Sequence, residues 1–254
     1  MAKLARAARG GLVSVGDAAR ALDEPRSRAA RRLAALARGG WIERAKRGVY
    51  LVRPLEAAPG QRTVAEDPWI VAHELFAPCY VGGWSAAEYW SLTDQIFAST
   101  LVVTAASVRS TSQNLLGHPY RLFRVPESRI TGALSRVWRG SSRVLVSSPE
   151  RTIADCLRNP ALCGGVRHLA DIMREYGNGA DADFQTLAEA MRDVGNGAAW
   201  KRCGYLAEIV WPGERALADT ATRNLTTGYS RLDPSIERRG RLVTRWRLWV
   251  NVHA

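Results

Sequence analysis

Lysine is nearly missing from this sequence. Its 36 basic residues are 33 Arg and only three Lys (Lys3, Lys46 and Lys201). Cysteine is scarce as well. Cys79, Cys156, Cys163 and Cys203 form no C-x-x-C pair, and no histidine stands at zinc-like spacing beside two of them. That argues against a zinc module and for buried free thiols in a reducing compartment. No apolar run approaches the ~20 residues that span a bilayer. The basic N-terminus has no apolar signal-peptide core, so a cytoplasmic protein with no membrane partner is expected.

Signatures of catalysis are missing too. There is no G-x-x-x-x-G-K-[ST] and no G-x-S-x-G. His73, His118, His168 and His253 have no ligand-like neighbours, which makes them structural or exposed. A metal nuclease would need two acids and a nearby lysine. The body has the single lysine Lys201, and Ala199 stands where an acid is expected. Glu150, Arg151 and Asp155 lie at helical spacing, which an i,i+4 ion pair between Arg151 and Asp155 explains. The expectation is a protein without enzymatic activity, metal or cofactor.

What the chain does have is positive charge concentrated at one end. Residues 1–55 hold 13 Lys and Arg against four acids, a net +9 out of +12 for all 254 residues. Such a concentration on a segment patterned to fold is the footprint of a nucleic-acid binder. Leu4 to Arg9 reads as a short helix ended by Gly10-Gly11. Ser14 and Asp17 have capping-box spacing for a helix from Val15 to about Leu22. Asp23-Glu24-Pro25 breaks that helix and starts another, from about Pro25 to Arg38.

On this last helix Ala29, Ala30, Leu33, Leu36 and Ala37 fall on one side. Arg28, Arg31, Arg32 and Ala35 fall opposite, with Arg26 and Ser27 in the first turn. Gly39-Gly40 closes it. Trp41 to Arg44 and Val49 to Val52 read as two strands around a basic turn, Ala45-Lys46-Arg47-Gly48. The order is that of a winged helix-turn-helix, with Arg28, Arg31 and Arg32 as candidates for base edges. The wing cations Arg44, Lys46 and Arg47 are candidates for phosphates. The partner expected is double-stranded DNA.

Residues 54–62 carry Pro and Gly and mark an expected linker between a domain at 1–55 and a larger one at 63–254. The body alternates helical and strand-like runs: helices from Asp67-Pro68, around Trp84 to Trp90 and from Ser148, and strands at 100–104, 120–125 and 143–146. It turns mostly helical from about Gly165 to Thr222 and ends in a strand-like run, Trp246 to Val252. The fold class expected is therefore α+β: the winged helix-turn-helix, then a mixed α/β domain richer in helix toward the C-terminus. Residues 223–254 hold seven Arg and two acids. Arg238, Arg239, Arg241 and Arg245 are candidates for a second basic patch. It would extend a DNA footprint, meet an acidic partner, or serve nothing specific.

The "RGVY" strand at 47–50, "GGWSAAEYWSLTDQI" (Gly82 to Ile96) and "SSPERTIADCL" (Ser147 to Leu157) together resemble the AbiEi-type antitoxins of type IV toxin–antitoxin systems. The resemblance runs over nearly the whole chain. It implies a transcriptional autorepressor that binds inverted repeats in its own promoter; a palindromic operator would take two copies. It also implies that the C-terminal domain counters a nucleotidyltransferase-like toxin encoded beside it, in many cases without a stable complex. Phage defence by abortive infection is a common setting. By position, DNA contact maps to Arg26 to Arg32 and to Arg44 to Arg47. No enzymatic residue is implied. Trp84, Tyr89, Trp90, Pro149 and Ile153 of the body motifs are expected in the core. The main alternative is a winged-helix regulator whose larger domain binds a ligand or a protein.

Overall fold

The computed structural model describes residues 1–52, 67–140, 142–194, 196–237 and 240–253. The protein is α+β. The N-terminal segment folds as α1 (Ala2–Ala7), β1 (Leu12–Ser14), α2 (Val15–Leu22), α3 (Arg26–Arg38), β2 (Ile42–Lys46) and β3 (Val49–Val52). Its three strands form an antiparallel sheet of order β1-β3-β2.

Local chemistry accounts for these boundaries. Ser14 Oγ accepts from the Asp17 backbone N–H at 3.0 Å, and the Asp17 carboxylate accepts from the Ser14 N–H at 3.2 Å. This capping box satisfies two donors that the first turn of α2 leaves open. Burial alone would raise the Asp17 pKa. Hydrogen bonds from Ser14 and the nearby Arg20 guanidinium outweigh burial and hold it below its ordinary 3.8. A carboxylate with a depressed folded pKa stabilises above its unfolded value and loses that effect as pH falls through the folded one. Ser14→Ala is expected to cost about 1 kcal/mol in thermal or urea unfolding at pH 7. The deficit should shrink in acid, below about the ordinary carboxylate value.

At the far end of α3, the Trp41 N–H reaches the Leu36 carbonyl at 3.0 Å and the Gly40 N–H reaches that of Ala37 at 3.1 Å. Gly40 has φ +74, a left-handed conformation that suits glycine. The β2–β3 hairpin closes through Arg47-Gly48, since Lys46 pairs with Val49 and Gly48 has φ +81. The register shifts between Arg44 and Lys46, which leaves Ala45 as a bulge. Ala29 and Leu33 of α3 are buried with Leu4, Val13, Ala18, Ile42 and Tyr50.

The chain continues through α4 (Pro68–Phe76), β4 (Cys79–Val81), α5 (Gly83–Tyr89), β5 (Thr100–Thr104), β6 (Ser112–Leu115), β7 (His118–Arg124), β8 (Leu134–Arg139) and β9 (Ser142–Ser147). A sheet of order β6-β7-β5-β4-β9-β8 results, with β5 and β7 parallel and β6 and β7 antiparallel. Five α-helices follow: α6 (Pro149–Arg158), α7 (Val166–Asn178), α8 (Phe184–Val194), α9 (Gly197–Val210) and α10 (Arg215–Arg223). A small sheet of β10 (Ser230–Arg231), β11 (Arg241–Val243) and β12 (Leu248–Val250) ends the described chain. The expected C-terminal strand is thus shorter than Trp246 to Val252. Trp246 belongs to a 3-10 turn, and its indole covers Gly204 of α9 so closely that a Cβ there would overlap the ring.

Two compact units emerge. One comprises Met1–Tyr80, Ala98–Glu127 and Arg136–Leu145; the other comprises Val81–Phe97, Ser128–Ser135 and Val146–Ala254. The expected linker at 54–62 lies outside the described residues. Residues 1–52 do not form a unit of their own. Leu12 and Leu51 share a core with Val71, Leu75, Phe76, Tyr120 and Leu122, so α4 and strands β5 to β7 belong with the N-terminal segment. Among the described residues no helix is long and apolar enough to cross a membrane.

Candidate nucleic-acid interface

The burial of Ala29 and Leu33 sets which side of α3 faces outward. Arg26, Ser27, Arg28, Arg31, Arg32 and Ala35 are all exposed. Ala30, Leu36 and Ala37, expected on the apolar side, are half-buried at its margins. The outward cations are not equivalent. Arg32 is paired with Glu24 at 2.5 Å. This holds its guanidinium toward the α2–α3 turn. Arg38 and Trp41 extend the exposed surface past the helix end, with Trp41 57% exposed.

The cations of the hairpin are not equivalent either. Arg44, Lys46 and Arg47 are all exposed, but Lys46 has an internal partner. Lys46 donates to the backbone carbonyl of Leu75 in the last turn of α4. A cation there meets a carbonyl without a helical partner and the negative end of the helix dipole. Burial lowers the Lys46 pKa, while Cys79 and Glu74 act the other way. Lys46 thus ties the hairpin to α4 while remaining exposed beside Arg44 and Arg47.

Of the second basic patch, Arg238 and Arg239 lie outside the described residues. Arg245 is paired with Glu208 at 2.6 Å and lies over the Trp246 ring at 5.3 Å. Arg241 is exposed and lines a cavity of about 690 Å³ with Arg167, Tyr205 and His253. Half of the described patch is thus already neutralised by an internal partner.

The two body motifs have structural work. In SSPERTIADCL, Ser148 Oγ caps α6 by accepting from the Arg151 N–H at 3.2 Å, and Ser147 Oγ meets Thr152 Oγ1 at 2.7 Å. The Arg151–Asp155 ion pair forms at 3.1 Å and is buried. Arg151 also donates to the Thr131 and Arg129 carbonyls. Ile153 is fully buried. In the other motif, Trp90 Nε1 donates to the Ser147 carbonyl at 2.7 Å, and Trp84 stacks on Phe97 with ring centroids 5.0 Å apart. Of the five residues expected in the core only Ile153 is buried; Trp84, Trp90 and Pro149 are half-buried, and Tyr89 departs furthest. It is 39% exposed and meets Trp90 edge-on, because it occupies the outward side of the last turn of α5.

All four cysteines are free and buried. His168 is buried between Thr93 and the Cys163 carbonyl, and His118 meets Thr100. Lys201 is buried and donates to the Gly228 carbonyl. No group of three or more His, Cys, Asp or Glu among the described residues is placed to hold a metal.

Residue type and spacing left one residue unflagged. Arg202, on α9, is 4% exposed and donates to the carbonyls of Leu232, Leu157, Arg158 and Arg231 at 2.8–3.1 Å. Burial lowers its pKa to about 10, with Asp233 acting against that. No local pattern announces such a site, since every partner is more than 25 residues away.

No protein-family profile matches the chain, and no curated protein matches it. The chain is similar in fold to the solved structure of the RV2827C protein from Mycobacterium tuberculosis. The TM-score is 0.59 at 17% identity, over 93% of this chain and 85% of that one. At that identity the likeness is one of fold alone.

Proposed function

We propose that the chain is a DNA-binding autorepressor that lays α3 in the major groove of its own promoter, with the β2–β3 hairpin beside the groove. The observation that carries this reading is the outward face of α3. Arg28 and Arg31 are exposed on a helix whose opposite face is fixed in a core. The element order α1-β1-α2-α3-β2-β3 supports it, as that of a winged helix-turn-helix. The concentration of charge in the first 55 residues supports it further, because phosphate neutralisation supplies most non-specific affinity. Arg28 and Arg31 are the base readers in this reading. Arg26 and Arg47 are phosphate contacts, with Arg32 a weaker contributor through its pairing with Glu24. Inverted repeats in the promoter would place one copy on each half-site.

The accompanying role is that of the antitoxin in a type IV pair, opposing a nucleotidyltransferase-like toxin through the larger part of the chain. It rests on the resemblance at 82–96 and 147–157. Most motif side chains described above are engaged inside the fold, so an antitoxic surface has to be sought elsewhere. Co-expression with the toxin encoded beside this chain tests it, and cells left unrescued would refute it.

Arg47→Ala separates the two kinds of DNA contact. It should weaken promoter and unrelated duplexes alike. The slope of log affinity against log salt should fall by about one phosphate's worth, roughly 0.9. A loss confined to the promoter would instead mark Arg47 as a base reader.

A further inference from the structure

Trp138 stands 61% exposed on β8, the end strand of the larger sheet. The Arg143 guanidinium lies over its ring, 4.3 Å from the centroid. Arg143 also lines a cavity of about 240 Å³ together with Arg9, His73 and Ser142. Glu74 lines it as well, and that carboxylate acts on Lys46. Arg136 is exposed two residues before Trp138, on the same face of the strand. These residues share one compact unit.

The patch is separate from α3 and the hairpin tip. β1 pairs with β3 so that Ser14 faces Val49, at the Arg47-Gly48 end, while Leu12 faces Leu51. Arg9 lies beyond Leu12, toward the opposite end of that small sheet.

A flat ring capped by a guanidinium offers a stacking plane for a base. Two arginines and a histidine converging on a small cavity offer donors for a phosphate. We propose that this patch is a second nucleic-acid site, which takes a base on the Trp138–Arg143 stack and the attached phosphate at Arg143 and Arg9. Base and phosphate side by side fit both halves of the patch, whereas an acidic protein segment would use the cations and leave the indole idle. A second copy of the chain fits worse, since a symmetric contact would bring Arg136 and Arg143 against their own images. The source is a free nucleotide or an unpaired strand.

The test uses the full chain and fluorescence anisotropy at low salt, with labelled oligothymidylate and thymidine monophosphate as competitor. Trp138→Ala and Arg143→Ala should each weaken oligomer binding about tenfold. Trp138→Phe should retain most of it, and promoter duplex binding should be unchanged. Competition by the mononucleotide would assign the site to free nucleotides; binding of the oligomer alone would assign it to a strand. Oligomer binding that is absent in the wild type, or unaltered in both Ala variants, overturns the proposal. So would loss of rescue from the toxin in Trp138→Ala with oligomer binding intact, which would give the patch to a protein.

Discussion

Arg202→Met should destabilise the second unit by about 3–5 kcal/mol, the range seen when one side of a buried polar cluster is removed. Methionine has nearly the right length and fills most of the space, so a cavity contributes little. What is lost is the donor set. The guanidinium serves carbonyls from the end of α6 and from the segment around β10, and four of them lose it together. Its pKa, lowered to about 10, leaves it charged at neutral pH. The variant therefore removes a cation in use. Lysine should recover only part of the loss, because one ammonium cannot fan out to four acceptors. Urea unfolding with hydrogen exchange measures this best, because a two-unit chain need not unfold in one step. Protection should collapse on α6 and α9 and persist on α2 and α3. A loss under about 1 kcal/mol would mean that water replaces the guanidinium at little cost.

Arg28→Ala combined with Arg31→Ala should reduce promoter affinity by about 2–6 kcal/mol, taking roughly 1–3 kcal/mol for each base-reading arginine. Both side chains are exposed and alanine favours helix, so circular dichroism and melting temperature should not fall. Arg32→Ala should do less to DNA and more to the α2–α3 turn, because it frees Glu24. Binding to unrelated duplex should weaken far less than binding to the promoter. A double variant that still represses fully would remove α3 from the interface.

Much of the N-terminal geometry was legible in the residues because its causes are local. A capping box needs only Ser14 and Asp17, three residues apart. The end of α3 needs only a glycine that tolerates φ +74. Amphipathic spacing alone turned Ala29 and Leu33 inward and Arg28 and Arg31 outward. Other elements carry no such signal. β6 reads SQNL, a polar run that becomes a strand only because β7 lies beside it. β4 is three apolar residues whose pairing partners come from far along the chain. β8 alternates, but its exposed face carries Arg136 and Trp138, and an outward tryptophan masks the pattern of a half-buried strand.

By itself, then, the sequence determined where the charge lies, which helix face bears it and where that helix begins and ends. Each of these follows from neighbours within one or two turns. Tertiary structure alone decided what each cation is free to do. Lys46 is an exposed hairpin cation that also has an internal partner, because α4 brings the Leu75 carbonyl to it, 29 residues on. Arg245 looks like a second patch until Glu208 neutralises it. Arg202 looks like one arginine among 33 until four distant carbonyls enclose it. A charge far from any partner in sequence has its solvation, and so its role, set by what the fold packs around it.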